Sequence, residues 1–213
     1  MIRRPLLAAL LAAGLAFTAS VSAQTVDLPR QVEFYFDADA VTLRPVLELK
    51  ERTPATVERL TRTVERRPEA VLETAQLAHY AMQGSQADVG RDLYARALSR
   101  IDINSALWKP IKFNFGWDLY RSGDAAGALA QWAAIGNRGV TAAWMPPSYA
   151  IALWKAGRRD EAVRWYAAAV RTEPTQWSTP AQYAQLLPQW RDDERATLAE
   201  VQAAWAANPP AWP

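Results

Sequence analysis

Apolar residues return every three or four positions through most of this chain, the period of a helix with one buried face. The periodic runs are punctuated by Pro54, Pro68, Gly123, Gly139, Gly157, Pro174 and Pro188, residues that end one helix or begin the next. The pattern predicts about ten helices of ordinary length. Only QVEFYF, residues 31–36, has a strand-like composition, and it reads either as a short strand or as an extended leader packed on the first helices. Near the other end, RDDERATLAEVQAAW predicts a closing helix, with Asp192 or Asp193 as N-cap and acids in its first turn.

The runs also repeat. Ala150, Leu153, Gly157, Ala162, Tyr166 and Ala169 follow in the order small, large, turn glycine, small, aromatic, small, and 34 residues upstream Gly116, Leu119, Gly123, Ala128, Trp132 and Ile135 stand at the same places. A copy 38 residues further back has Ala78, Ala81, Ser85, Gly90, Tyr94 and Ala97. Weaker copies hold Thr56, Leu60, Thr63 and Pro68 on one side and Ala184, Leu187, Ala196 and Ala203 on the other. Small residues such as Gly116, Ala128, Ala150 and Ala162 let two helices approach closely, while Trp132 and Tyr166 fill the space where the next pair docks. Each pair leaves an apolar face that its neighbour covers, so the end units are free to drift from the pattern.

On these residues the chain resembles the tetratricopeptide repeat family, whose unit of about 34 residues carries W-x-x-L-G-x-x-Y, then A-x-x-x-F, A and P. Two units match well, one fairly and two poorly, together spanning residues 37–210. Lys112 and Pro146 stand where the pattern's first Trp belongs, and Arg44 where the first unit needs a small residue. The resemblance implies an all-α fold, a right-handed α-solenoid of antiparallel helix pairs, with about five units of which the outer two are degenerate. It also implies a concave groove in which peptides bind.

The opening MIRRPLLAALLAAGLAFTASVSAQ has two arginines, an apolar run and small residues up to Ala23, the pattern of a secretory signal peptide cleaved after Ala23. Its apolar run falls short of the roughly 20 residues that cross a bilayer, so no stable membrane span is expected after cleavage. The chain then divides into a signal peptide at 1–23, an extended leader at 24–36, a repeat domain at 37–210 and a tail at 211–213, with a periplasmic or secreted location. Cleavage would leave 22 basic and 22 acidic side chains, interspersed along helices, which is no footprint for nucleic acid. The absence of cysteine leaves packing alone to hold the fold.

Candidate chemistry is sparse. His79 is the only histidine, so a multi-histidine metal site cannot be built, and any Ser/His/Asp arrangement would have to centre on it. Its place on the first helix of a unit favours a partly exposed helix residue over a general base. Asp37 with Asp39, and Asp192 with Asp193 and Glu194, sit where helices should begin, and capping explains them better than acid–base work. GNRG at 136–139 reads as a helix end rather than a phosphate loop. No catalytic residue, metal or cofactor is expected. An envelope enzyme acting on cell-wall carbohydrate is the weakest alternative, because it needs groove-facing carboxylates.

What remains is the distribution of tryptophan: all ten lie between 108 and 212. On the first helices of the two best units, Trp117, Tyr120 and Arg121, and again Ile151, Trp154 and Lys155, share the face that lines the groove in the resembled family, and Phe113 and Trp144 should extend it. Rings beside recurring cations suit a peptide segment, with apolar contact giving affinity and Arg121 or Lys155 fixing orientation. The expectation is a non-catalytic scaffold or adaptor binding a protein or peptide partner in the cell envelope. Two other arrangements stand beside it: a structural subunit that oligomerises through its end repeats, and a groove filled by the chain's own ends, QVEFYF or the NPPAWP tail.

Overall fold

A computed structural model describes residues 26–46, 52–84, 86–138 and 141–211; the expected signal peptide, Gly139 and the last two residues of the tail lie outside them. The described residues form helices α1 (Pro54–Arg66), α2 (Val71–Gln83), α3 (Ala87–Leu98), α4 (Trp108–Arg121), α5 (Ala125–Gly136), α6 (Met145–Lys155) and α7 (Arg159–Thr172). Three single turns follow, α8 (Pro174–Trp177), a 3-10 turn at Pro180–Gln182 and α9 (Tyr183–Leu186), before the long closing helix α10 (Asp192–Ala207). The fold is all-helical, and the helices pack as neighbouring pairs: α2 on α3, α4 on α5 and α6 on α7, with α1 against α2 and α10 against α6 and α7.

The turns inside two pairs follow from glycine. Gly123 and Gly157 take φ of 91° and 78°, left-handed values that side chains resist. Beyond them the Asp124 and Arg158 amides return to the carbonyls of Leu119 and Leu153, each at 2.9 Å. Asp124 then caps α5 by accepting the Gly127 amide at 2.7 Å. Close approach within a pair depends on Gly116, where an added Cβ would lie 2.2 Å from Nε1 of Trp132. That indole instead donates to the Phe113 carbonyl across the same gap, at 3.2 Å.

The N-terminal unit departs from expectation. Residues 37–46 make a turn rather than a helix, closed by the Leu43 amide on the Asp39 carbonyl at 3.2 Å, with Asp39 at φ 42°. Asp37 and Asp39 therefore cap no helix. Asp37 Oδ1 accepts the Asp39 amide at 2.8 Å, and Asp39 Oδ1 accepts that of Thr42 at 3.4 Å. Arg44 and Pro45 follow directly, a poor continuation for a close-packed helix.

Ahead of this turn the leader lies extended across α6 and α7, with one isolated parallel bridge between Asp37 and Ala142 and no strand among the described residues. Tyr35 is buried against Trp165, ring centroids 6.0 Å apart, while Phe34 and Phe36 stack on each other and face outward. The indole of Trp144 donates to Asp39 Oδ2 at 3.0 Å, and Arg158 donates to the Val26 carbonyl at 3.3 Å. A relay of ring contacts runs through the core from Trp190 by Trp117, Phe113, Trp144, Tyr149 and Trp165 to Tyr35, joining the segment ahead of α10 to the leader.

A candidate binding face on α4 and α6

The eight residues expected to line a groove divide into two sets. Phe113, Trp117, Trp144 and Ile151 are core residues, none more than 8% exposed. Phe113 packs its edge against Trp144 at 5.0 Å, and Trp117 meets Trp132 at 5.1 Å and Trp190 at 4.9 Å. Tyr120, Arg121 and Trp154 are partly exposed, and Lys155 is fully on the surface. These rings do not look onto open solvent. Trp117 lies against Trp190, ahead of α10, and Trp144 against Tyr149 and Asp39 of the N-terminal turn, while α10 itself reaches Arg121 and Trp154.

The cover is specific in its contacts. Arg121 on α4 holds Glu194 on α10 with two hydrogen bonds, Nε to Oε1 at 2.7 Å and Nη2 to Oε2 at 3.2 Å, and its guanidinium sits 5.0 Å above the Trp117 ring. This is the forked geometry that arginine alone provides, with a cation–π contact beneath it. Glu194 is only 1% exposed, yet its carboxylate is satisfied, since Oε2 also accepts the Arg191 amide at 2.7 Å. The acid that closes the first turn of α10 is thus Glu194 at its third position, not Asp192 or Asp193 at the cap. Farther along, the Trp154 indole donates to Glu200 at 2.8 Å, Arg159 lies 4.0 Å over the same ring, and Trp205 rests on Tyr166. Tyr120 is wedged beneath α10. Burial pushes its phenol up to about 12, with the Thr197 hydroxyl opposing and the carboxylates of Glu194, Asp193 and Glu200 adding to the rise.

A second polar cluster escaped the sequence reading. His79 on α2 places Nδ1 2.9 Å from both oxygens of Asp118 on α4, and Tyr94 on α3 donates to Asp118 Oδ2 at 2.7 Å. Asp118 is 4% exposed, and the Tyr94 pKa is raised well above its ordinary value by burial and by the adjoining carboxylate. His79 Nε2 meets the Gln83 amide at 2.9 Å. The cluster clasps three helices together. Asp118 is one position from Trp117 in the α4 pattern, so the available signal was an acid on a face otherwise apolar.

Where the leader meets the start of α7, an open cleft of about 550 Å³ is lined by Val26, Asp27, Gln31, Arg158, Glu161 and Arg164. Its strongest ion pair is internal: Arg158 grips both oxygens of Glu161 at 2.6 Å and holds that carboxyl below its ordinary pKa. Among the described residues no group of three or more His, Cys, Asp or Glu gathers as a metal site, and no helix is long and apolar enough to cross a membrane. Compared with protein-family models, curated proteins and solved structures, the chain matches none.

Proposed function

We propose that this protein is a non-catalytic scaffold of the cell envelope, exported by its N-terminal signal and binding a protein or peptide through the aromatic, partly basic face of α4 and α6. In this reading the pairs α2–α3, α4–α5 and α6–α7 are successive units of a right-handed solenoid similar to tetratricopeptide arrays, and α10 closes the series. The observation that carries it is chemical: Trp154 and Lys155 of α6 and Arg121 of α4, seated on the buried Trp117, stand beside Arg159 of α7, and this surface already accommodates a helix bearing acids. Rings supply contact area and cations supply orientation, the division of labour expected of a recognition surface. The test is a photo-crosslinking side chain placed at Lys155 and, as control, at Arg62 on α1. A discrete crosslinked product from envelope extract at position 155 alone supports the scaffold, and equal products at both positions, or none, overturn it.

One observation favours a second reading, self-association. Val32, Phe34, Phe36, Val41 and Leu43 expose large apolar side chains within a short stretch at the N-terminal end. Sedimentation of the wild type against Phe34→Glu/Phe36→Glu decides it: a wild-type dimer that the double substitution makes monomeric establishes the subunit reading.

A further inference from the structure

We infer that α10 is a displaceable occupant of a seat formed by α6 and α7 with Arg121 at the end of α4, and that the partner taking its place is an acidic amphipathic helix with the same register. The inference rests on the scaffold reading and names its partner.

The helix is held less deeply than those beneath it. Only Glu194, Thr197, Leu198 and Val201 are buried of its 16 residues, whereas α6 buries nine consecutive residues of 11. Those four fall at spacings of three and four, one face of a helix. The contacts at its start and middle are directional and polar: Glu194 in the fork of Arg121, Glu200 accepting from Trp154, and Gln202 donating to the Ser178 carbonyl at 2.9 Å. A desolvated ion pair adds little net stability over apolar packing, but it rejects occupants lacking the acid. The charge complementarity is carried by these two acids: Glu194 meets Arg121, and Glu200 meets the Trp154 ring on which Arg159 of α7 is seated, while Asp192 is paired within α10 to Arg195.

The connection to α10 permits exchange. Residues 173–191 are broken into single turns, and their anchor is made early, by the Tyr166 hydroxyl bonding both the Trp177 carbonyl and the Tyr183 hydroxyl at 2.5 Å. Release of α10 after Pro188 leaves that anchor in place. The recognised ligand therefore has an acid in its first helical turn, Leu and Val four and seven residues later, and a second acid six residues after the first, as Glu194, Leu198, Val201 and Glu200 are spaced. A tethered helix competes at an effective concentration on the order of millimolar, so an outside helix binds weakly until α10 is loosened.

The test uses a fluorescent peptide with the sequence of residues 190–207 against three full-length chains: wild type, Leu198→Ala/Val201→Ala, and the same double variant with Arg121→Gln. The double variant touches only the occupant, and because apparent affinity scales with the open fraction it should bind the peptide at least about tenfold more tightly than wild type. Arg121→Gln should abolish that gain, and a scrambled peptide should not bind. Hydrogen exchange on the same samples must show α10 amides of the double variant losing protection while those of α4 and α6 keep theirs. If α10 stays as protected as α4, or if all three open together, α10 is a fixed part of the core and the inference fails. If α10 opens and the peptide still does not bind, the partner assignment fails; crosslinking at position 155 reports separately whether the scaffold reading survives.

Discussion

Arg121 and Glu194 are 73 residues apart in sequence and meet in a two-bond fork, the carboxylate almost wholly buried and the guanidinium about one-quarter exposed. Removing either partner is therefore not equivalent. Arg121→Ala strands a buried carboxylate and should cost about 3–5 kcal/mol in the free energy of opening α10. Glu194→Gln leaves a cation that can rehydrate, and should cost about 1–3 kcal/mol. Hydrogen exchange at the α10 amides measures both. Arg121→Met combined with Glu194→Leu should recover most of the loss.

Gly116 faces Trp132 with no room for a methyl group. Gly116→Ala should push the indole off the Phe113 carbonyl and cost about 1–3 kcal/mol as overpacking, although alanine is the better helix former. Urea denaturation gives the value, and an unchanged midpoint would show that α4 and α5 can slide apart freely.

Much of this architecture was legible because it rests on local rules. Helical period, turn glycines and small residues at close crossings act within one repeat, so α2 to α7 could be read from Gly116, Gly123, Gly157 and their equivalents. What the spacing of Trp117 and Trp154 defines is a shared face, and a face is the same whether solvent or another helix lies on it. The occupant was out of reach because its key residue, Glu194, is indistinguishable in sequence from Asp192 and Asp193, and only the long-range meeting with Arg121 separates them. The His79, Asp118 and Tyr94 clasp was hidden for the same reason, each member coming from a different helix. In the first unit the local signals did conflict, Asp39, Arg44 and Pro45 against the repeat, and there the turn won.

Asp118 accepts from Tyr94 and meets His79 inside the packing of α2, α3 and α4. Asp118→Ala should leave the buried Tyr94 hydroxyl unbonded and cost about 1–3 kcal/mol for that group. Tyr94→Phe in the Asp118→Ala background should recover part of the loss, because the stranded hydroxyl is then gone. Denaturation midpoints of the three variants measure the coupling.

Tyr120 and Tyr166 both have phenol pKa values raised to about 12 by burial, against an ordinary value of 10.0. Below pH 10 both folded and unfolded chains carry neutral phenols, and the contribution to stability is fully present. Between the unfolded and folded values the unfolded chain binds fewer protons, so stability falls as pH rises from about 10 through about 12. Melting temperature should decline steeply over this window, and Tyr120→Phe should make the decline shallower. An equal slope in the variant would mean that Tyr120 titrates normally in the folded protein.

The two tryptophans that spacing places on one face should separate under substitution. Trp117 is a core ring in contact with Phe113, Tyr120, Trp132 and Trp190, and Trp117→Ala should cost about 3–5 kcal/mol of global stability. Trp154 is partly exposed, giving one hydrogen bond to Glu200 and a seat for Arg159. Trp154→Ala should cost about 1 kcal/mol and loosen the C-terminal half of α10 without unfolding α6. Thermal melts and exchange at the α10 amides, measured on both variants, distinguish a ring that builds the face from one that holds what lies upon it. If Trp117→Ala left the melting temperature unchanged while abolishing capture, Trp117 would belong to the contact surface and the core assignment would be wrong.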